Sequence, residues 1–224
     1  MKLAPIIKET AEAKATRLLR NFITSGAVTP GTRITETHLS EEMNISRATV
    51  RSVLNSLSGE GLITLIPYTG WMITELSAQD IWELYTLRSA YERLGSRLAA
   101  KFINENNHRE ILQKAYKEFV QICQEGSPDE VAESDLNLHH AIIDISMNKS
   151  LQEQNLLISR KVMLFIKSSN ALINTSEEIL SQHTPIIEAI LDGDMDKAGQ
   201  LSEEHNLSEG EKLFTYMMEK ERQL

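Results

Sequence analysis

Apolar positions recur at helical spacing from residue 5 to residue 24, at Ile7, Ala11, Leu18, Leu19, Phe22 and Ile23, and Ser25-Gly26 supplies a stop. Pro30-Gly31 makes a turn, Ile34 a short extended stretch, and Thr35 can cap a brief second helix that carries Leu39 and Met43 inward. Ser46 is a good N-cap for a third helix, with Val50, Val53, Leu54 and Leu57 on one face until Gly59 and Gly61 end it. The pattern then changes: residues 62–66 and 71–74 are β-rich runs around Pro67-Tyr68-Thr69-Gly70, a hairpin signal. Two short helices joined by a tight turn and followed by a hairpin form a winged helix-turn-helix. From Ala78 onward the pattern is helical throughout, in six segments at 78–102, 107–124, 129–146, 150–171, 176–192 and 194–219. Their breaks are short, so neighbouring helices should run antiparallel. The predicted fold is mainly α, an N-terminal winged helix-turn-helix over 1–76 and a C-terminal antiparallel six-helix bundle over 77–224.

Composition sharpens this division. The chain has 224 residues and a formal charge of -9, but residues 1–76 hold eight Lys/Arg against seven Asp/Glu, while residues 77–224 hold fifteen against twenty-five. Half of the ten glycines and three of the five prolines fall in the first part, where turns must be dense. The single cysteine, Cys123, cannot pair within the chain, which excludes a disulfide scaffold and fits a reducing cytosol. The N-terminal apolar run breaks at Lys8, far short of a signal-peptide core, and no stretch approaches a membrane span. A cytoplasmic protein with no membrane partner is expected.

Candidate chemistry lies in both parts. Ser46, Arg47, Ala48, Thr49 and Arg51 place two guanidiniums, a hydroxyl and a small side chain on the first turns of the third helix. A helix entering the DNA major groove meets bases and phosphates there, and its unpaired amides favour phosphate. Arg47 and Arg51, four residues apart, also fit a simple solvated face. In the bundle, Asp135 and His139 project from one helical face, and His183 and His205 sit on the last two helices. Three nitrogens and one oxygen suit zinc, nickel or manganese, with water or a ligand carboxylate in the open positions. The bare Asp-x-x-x-His spacing equally fits a surface pair or a satisfied buried histidine. His140 faces elsewhere on its helix, and His38 and His108 read as surface residues. Arg88 and Glu92 have the spacing of an intrahelical ion pair that needs no ligand.

The run Pro30-Gly31, Ile34, Glu36, Leu39-Ser40, Ser46-Arg47-Ala48-Thr49-Val50-Arg51, Leu54, Leu57, Glu60-Gly61-Leu62-Ile63 and Pro67-Tyr68-Thr69-Gly70 resembles the winged-helix domain of GntR-family bacterial transcriptional regulators. The resemblance implies DNA contacts at Arg47, Thr49 and Arg51 on the recognition helix and at Gly70 on the wing tip. Thr37, Thr49 and Thr69 depart from residues common in that family. Further on, Arg88-Ser89-Ala90-Tyr91-Glu92, Asp135-Leu136-Asn137-Leu138-His139, Gln182-His183 and Gly193-Asp194 with Ala198 and His205 resemble the FCD effector domain of the family's FadR branch, in its shorter VanR-like form. That resemblance implies a divalent metal at Asp135, His139, His183 and His205 beside a small carboxylate effector, and an effector-facing role for Arg88. Leu138 departs from an aromatic usual before the first ligand histidine.

The expected function is therefore a dimeric, sequence-specific DNA-binding regulator, a repressor released by an organic acid from its double-stranded operator. A metal-dependent enzyme is one rival, since an open metal site can activate water. No His-Glu-x-x-His or Gly-x-Ser-x-Gly string accompanies the quartet. A metal-sensing or architectural DNA binder with no organic effector is the other.

Overall fold

The computed structural model describes residues 9–169 and 174–223. Pro5 and Ile7 of the first predicted helix, and Ala171 at the end of the fourth bundle helix, lie outside the described residues. The chain divides into two compact units, Met1–Glu75 and Leu76–Leu224.

The first unit runs α1 (Ala11–Thr24), β1 (Arg33–Ile34), α2 (Glu36–Met43), α3 (Arg47–Gly59), β2 (Ile63–Ile66) and β3 (Gly70–Ile73). Each helix starts at a hydroxyl side chain that takes up an otherwise orphaned amide: Thr10 accepts from Ala13, Thr35 from His38 and Ser46 from Thr49. Asn44, in the left-handed region at φ 50°, ends α2 and makes the tight turn into α3. The strands form an antiparallel sheet in the order β1-β3-β2, with Leu65 opposite Trp71 and Ile34 on the other side of the same tryptophan. Ala15, Leu19 and Ile23 of α1 and Val50, Val53, Leu54 and Leu57 of α3 are buried, as are Leu62, Ile63, Trp71 and Ile73. Each fully buried aliphatic side chain contributes about 1.5–3 kcal/mol to holding this core. Arg20 of α1 forks onto Glu60 at the end of α3, at 2.7 and 2.6 Å. Leu39 and Met43 do not reach the core. They are half-buried and line, with Leu18, Phe22 and Ile34, an open apolar cleft of about 430 Å³.

The second unit comprises α4 (Ala78–Phe102), α5 (His108–Glu125), α6 (Pro128–Ile145), α7 (Lys149–Ser169), α8 (Ser176–Leu191) and α9 (Met195–Glu221). Capping boxes start three of them, pairing Ser77 with Asp80, Ser127 with Glu130 and Thr175 with Glu178. Pro128, which reads in sequence as part of a break, is the first residue of α6; the missing amide is one that the helix start leaves free in any case. The long helices α4 and α9 pack closely because α9 presents glycine at the contact. A Cβ at Gly210 would lie 2.7 Å from the Cβ of Tyr85, and one at Gly199 would lie 2.5 Å from Cγ of Arg97.

Two apolar clusters occupy the bundle. One gathers Ala99 and Ala100 of α4 and Ile103 just past its end with Leu112 and Phe119 of α5 and residues of α6, α8 and α9. The other gathers Ile81, Leu84 and Tyr85 of α4 with Ile158, Val162 and Phe165 of α7 and Leu213 of α9. Between them along α4 come Arg88, Glu92 and Ser96, all buried; along α9, Ser202, His205 and Asn206 lie between Ala198 and Leu213 and are buried as well. A polar layer thus crosses the middle of the unit. Among the described residues no helix is long and apolar enough to cross a membrane.

Candidate metal and effector site and DNA-reading surface

Arg47 and Arg51 stand on the first two turns of α3, opposite the buried Val50, Val53, Leu54 and Leu57, with side chains 64% and 61% exposed. They are not free. Glu36, the first residue of α2, accepts from Arg51 Nε and Nη2 at 2.9 and 2.7 Å and lies 3.8 Å from Arg47 Nη2. The Arg51 hydrogen bond, helped by Trp71 and by the charge of Arg47, holds the Glu36 carboxyl below its ordinary range. Thr49 is half-buried, and its hydroxyl sits 2.9 Å from that of the cap residue Ser46. Gly70 opens β3 at φ +99°, a conformation side chains rarely adopt, just after Tyr68, which is fully exposed at the turn and has φ 65°.

In the bundle, Asp135 and His139 of α6, His183 of α8 and His205 of α9 come together. The three imidazoles are buried, and one ligand nitrogen from each lies within 4.8 Å of the others. His183 Nε2 is 2.9 Å from Asp135 Oδ1 and 3.1 Å from His139 Nε2, and His139 Nε2 is 3.7 Å from Asp135 Oδ2. His205 stacks on His139, ring centroids 5.5 Å apart, and meets His183 edge-on at 4.4 Å.

Each ring's outer nitrogen fixes what its inner nitrogen can do. His183 Nδ1 lies 2.7 Å from the carbonyl of Ile179, which can only accept, so Nδ1 carries the proton. His139 Nδ1 lies 2.5 Å from the Glu92 carboxylate and donates to it. With both outer nitrogens protonated, two neutral rings would face each other across 3.1 Å with bare lone pairs, beside a carboxylate. A cation, either a proton or a metal, resolves that repulsion. Burial works against a charged His183, but the Asp135 carboxylate outweighs it and raises the imidazole's pKa. Burial opposes ionisation of Asp135 too, and His183 and His139 overcome it, so the carboxyl is held well below its usual range. His205 is driven the other way, by burial and then by its two histidine neighbours, and stays neutral. Neither of its ring nitrogens has a hydrogen-bond partner. A buried imidazole with two orphaned nitrogens, stacked against two others and a carboxylate, fits the donor set of a borderline divalent ion.

Arg88, one turn before Glu92 on α4, is 1% exposed and donates through Nε to Glu92 Oε1 at 2.7 Å. Its Nη2 has no partner. The buried hydroxyl of Tyr85 is also unpartnered, and the Arg88 guanidinium lies 5.5 Å from the Tyr85 ring centroid. The intrahelical pair and an unsatisfied donor therefore coexist in one side chain. An anion with oxygen acceptors is what such a guanidinium lacks.

Sequence reasoning missed Glu92 as a histidine partner, Asn206, which donates to Glu92 at 2.9 Å, and Glu36. Glu209, whose carboxyl is pushed up by burial and by the charge of Asp135, was missed too. For Glu92 and Glu209 the only available signal was an acidic residue four positions after Arg88 and His205, which is common on any helix; Asn206, adjacent to His205, and Glu36, eleven positions before Arg47, had no spacing signal. His108, read as a surface residue, is buried, and its Nδ1 lies 2.8 Å from the carbonyl of Phe102.

A family model described as FCD domain matches residues 83–208, and one described as bacterial regulatory proteins, gntR family, matches residues 12–73. The uncharacterized HTH-type transcriptional regulator YdhC of Bacillus subtilis is 30% identical over 177 residues, 77% of this chain and 77% of its own length. The probable D-xylose utilization operon transcriptional repressor of Paenarthrobacter nicotinovorans is 23% identical, covering 79% of this chain and 76% of that one. The solved fold of E. coli McbR/YncC is similar with a TM-score of 0.76 at 18% identity, covering 92% of this chain and 98% of that chain.

Proposed function

We propose, from the premise that the chain belongs to the GntR family of bacterial regulatory proteins and carries an FCD domain, that it is a repressor controlled by a small organic acid. It is a DNA-binding transcriptional regulator and not an enzyme. In this reading Arg47, Thr49, Arg51 and the wing around Gly70 contact the operator, with the winged helix-turn-helix of residues 1–76 as DNA-binding domain and residues 77–224 as effector-binding and dimerisation domain. Asp135, His139, His183 and His205 hold a divalent ion such as zinc, nickel or manganese, and Arg88 faces a carboxylate effector beside it. The metal would supply an open coordination position for that carboxylate.

The observation that carries the reading is the buried polar layer itself, in which His205 and Arg88 Nη2 lack partners. Unsatisfied buried donors and acceptors cost about 1–3 kcal/mol each, so a layer with several of them is built for something that satisfies them. The repressor sign follows the names of relatives such as the probable D-xylose utilization operon transcriptional repressor. For dimerisation, Leu87 and Leu94, seven residues apart on one face of α4, are 47% and 43% exposed and would be covered by a second copy. A two-fold dimer would place two recognition helices on a pseudo-palindromic site.

The test is a thermal-shift and operator-binding screen with organic acids, with and without chelator. An acid that raises the melting temperature only in metal-loaded protein and lowers operator affinity supports the reading. Metal-loaded protein that responds to no acid while chelation changes operator affinity would support a metal sensor instead.

A further inference from the structure

Glu92 sits in the middle of α4, and both of its carboxylate oxygens are used, by three helices. Oε1 accepts from Arg88 Nε at 2.7 Å, and Oε2 accepts from Asn206 Nδ2 of α9 at 2.9 Å and from His139 Nδ1 of α6 at 2.5 Å. The side chain is 3% exposed. Arg88 Nε and Asn206 Nδ2 can only donate, so both carboxylate oxygens act as acceptors, and the hydrogen in the His139 contact belongs to Nδ1. That choice leaves Nε2 of His139 as the bare nitrogen, turned toward Asp135 and His183. The opposite tautomer would put a hydrogen where a metal must sit and a lone pair against a carboxylate.

We propose that Glu92 is the positioning residue of the metal site: it selects the His139 tautomer that can ligate, and it ties that choice to the arginine of the effector pocket. The inference rests on the metal reading of the histidine cluster and extends it to a residue outside the ligand set. Partners of this kind fix ring orientation and raise ligand basicity, and their loss weakens metal affinity by about 10- to 100-fold. The link to Arg88 follows from the sharing. One carboxylate serves Arg88 through Oε1 and both His139 and Asn206 through Oε2, so the geometry of the guanidinium and the hydrogen bond to His139 cannot vary independently. Any affinity change that one ligand causes at the other site must be reciprocal.

The test uses full-length protein and Co(II) alone as probe, with affinity read by competition against a chromophoric chelator, and ring-nitrogen NMR of the metal-free protein. Wild type should show His139 protonated at Nδ1 and bare at Nε2. Glu92→Gln removes the charge and should mix the tautomers and weaken Co(II) binding by about 10- to 100-fold, while Glu92→Asp, which keeps the charge, should recover part of the loss. Asn206→Ala removes one donor without touching the charge and should have a smaller effect. A Glu92→Gln protein that melts as wild type does without metal and binds Co(II) equally well overturns the proposal and leaves the metal reading standing. If that variant does not fold, the wild-type spectrum decides: a His139 protonated at Nε2 overturns it. Wild-type protein that binds no Co(II) removes both readings together.

Discussion

The winged-helix unit and the bundle put their polar chemistry in opposite places. On α3 the buried residues are Val50, Val53, Leu54 and Leu57, and the guanidiniums of Arg47 and Arg51 stand in solvent on the other face. On α4 the buried residues include Arg88, Glu92 and Ser96, and it is leucines, Leu87 and Leu94, that are half exposed. A DNA-reading surface must be reached by a large rigid partner, so it can lie on the outside of a finished apolar core. A site for a small ligand gains from a water-poor interior, where each charge and hydrogen bond counts for more, but its polar groups then interrupt the core. The first unit can therefore lose its chemistry without losing its fold. In the second, chemistry and stability are the same interactions.

The largest effect expected from this contrast is on metal removal. A ligand that binds only the folded state at about a thousand times its Kd stabilises by about 4 kcal/mol. For a unit of this size that corresponds to roughly 8–16 °C of melting temperature. Chelation, or His205→Ala, should lower the melting of the bundle by that order and leave the winged-helix unit unchanged. Hydrogen exchange on the intact chain separates the two, reading α4 and α9 against α3. Equal protection of α9 with and without metal, in wild type and variant alike, would break the comparison at its strongest point.

Next comes DNA affinity. Arg47→Ala and Arg51→Ala should each weaken operator binding by about 1–3 kcal/mol if the side chain reads a base, with relaxed specificity at one position. A phosphate contact would instead lower binding evenly across sequences and reduce the salt slope by about one. Titrations against operator and scrambled duplex at two salt concentrations distinguish these. Unchanged binding in both variants would remove α3 from the groove.

These two expectations differ in how much of them could be read from the chain. The winged helix was legible almost residue by residue: Ser46 caps α3, the four apolar positions of α3 are buried, and the hairpin turns at Pro67 to Gly70. Each signal there is local, a cap, a period or a turn. The four converging residues of the bundle were also named from sequence, but their spacing alone could not separate a site from a surface pair, and their reading as a metal site came from the resemblance. What stayed hidden is the layer around them. Arg88 and Glu92 at i,i+4 look like a solvent-facing pair on any helix, and only the packing of α6 and α9 over them makes the pair buried and shared. His108 also escaped the sequence reading: it is buried, and its Nδ1 lies 2.8 Å from the carbonyl of Phe102, six residues earlier and outside its own helix.

A smaller effect probes the packing that buries the layer. Gly210→Ala would place a methyl 2.7 Å from the Cβ of Tyr85, an atom close to the backbone that cannot swing away. Pushing α9 off α4 should cost about 1–2 kcal/mol. It should also weaken metal binding, because His205 rides on α9. A calorimetric scan and a Co(II) titration of the same variant check both, and a loss of stability with no loss of metal affinity would show that the layer tolerates movement of α9.

The smallest effect is the counterpart in the first unit. Arg51 is 61% exposed and Glu36 17%, so solvent screens their fork and it adds little stability despite its good geometry. Glu36 also sits at the start of α2, where the helix dipole favours a carboxylate, so removing the arginine does not strand its charge. Arg51→Ala should therefore shift the winged-helix melting only slightly at neutral pH. The sign with pH follows from the depressed Glu36 carboxyl: the pair's contribution is present above the ordinary carboxylate value near 4.5 and is lost as pH falls through the lowered folded value. Wild type and variant should converge in acid. A variant that loses operator binding yet melts as wild type does sets the first unit apart from the second, where the candidate site and the core share the same buried helices. One that unfolds would mean that Glu36 and Arg51 belong to the core's support, and that the two units differ less than their buried residues suggest.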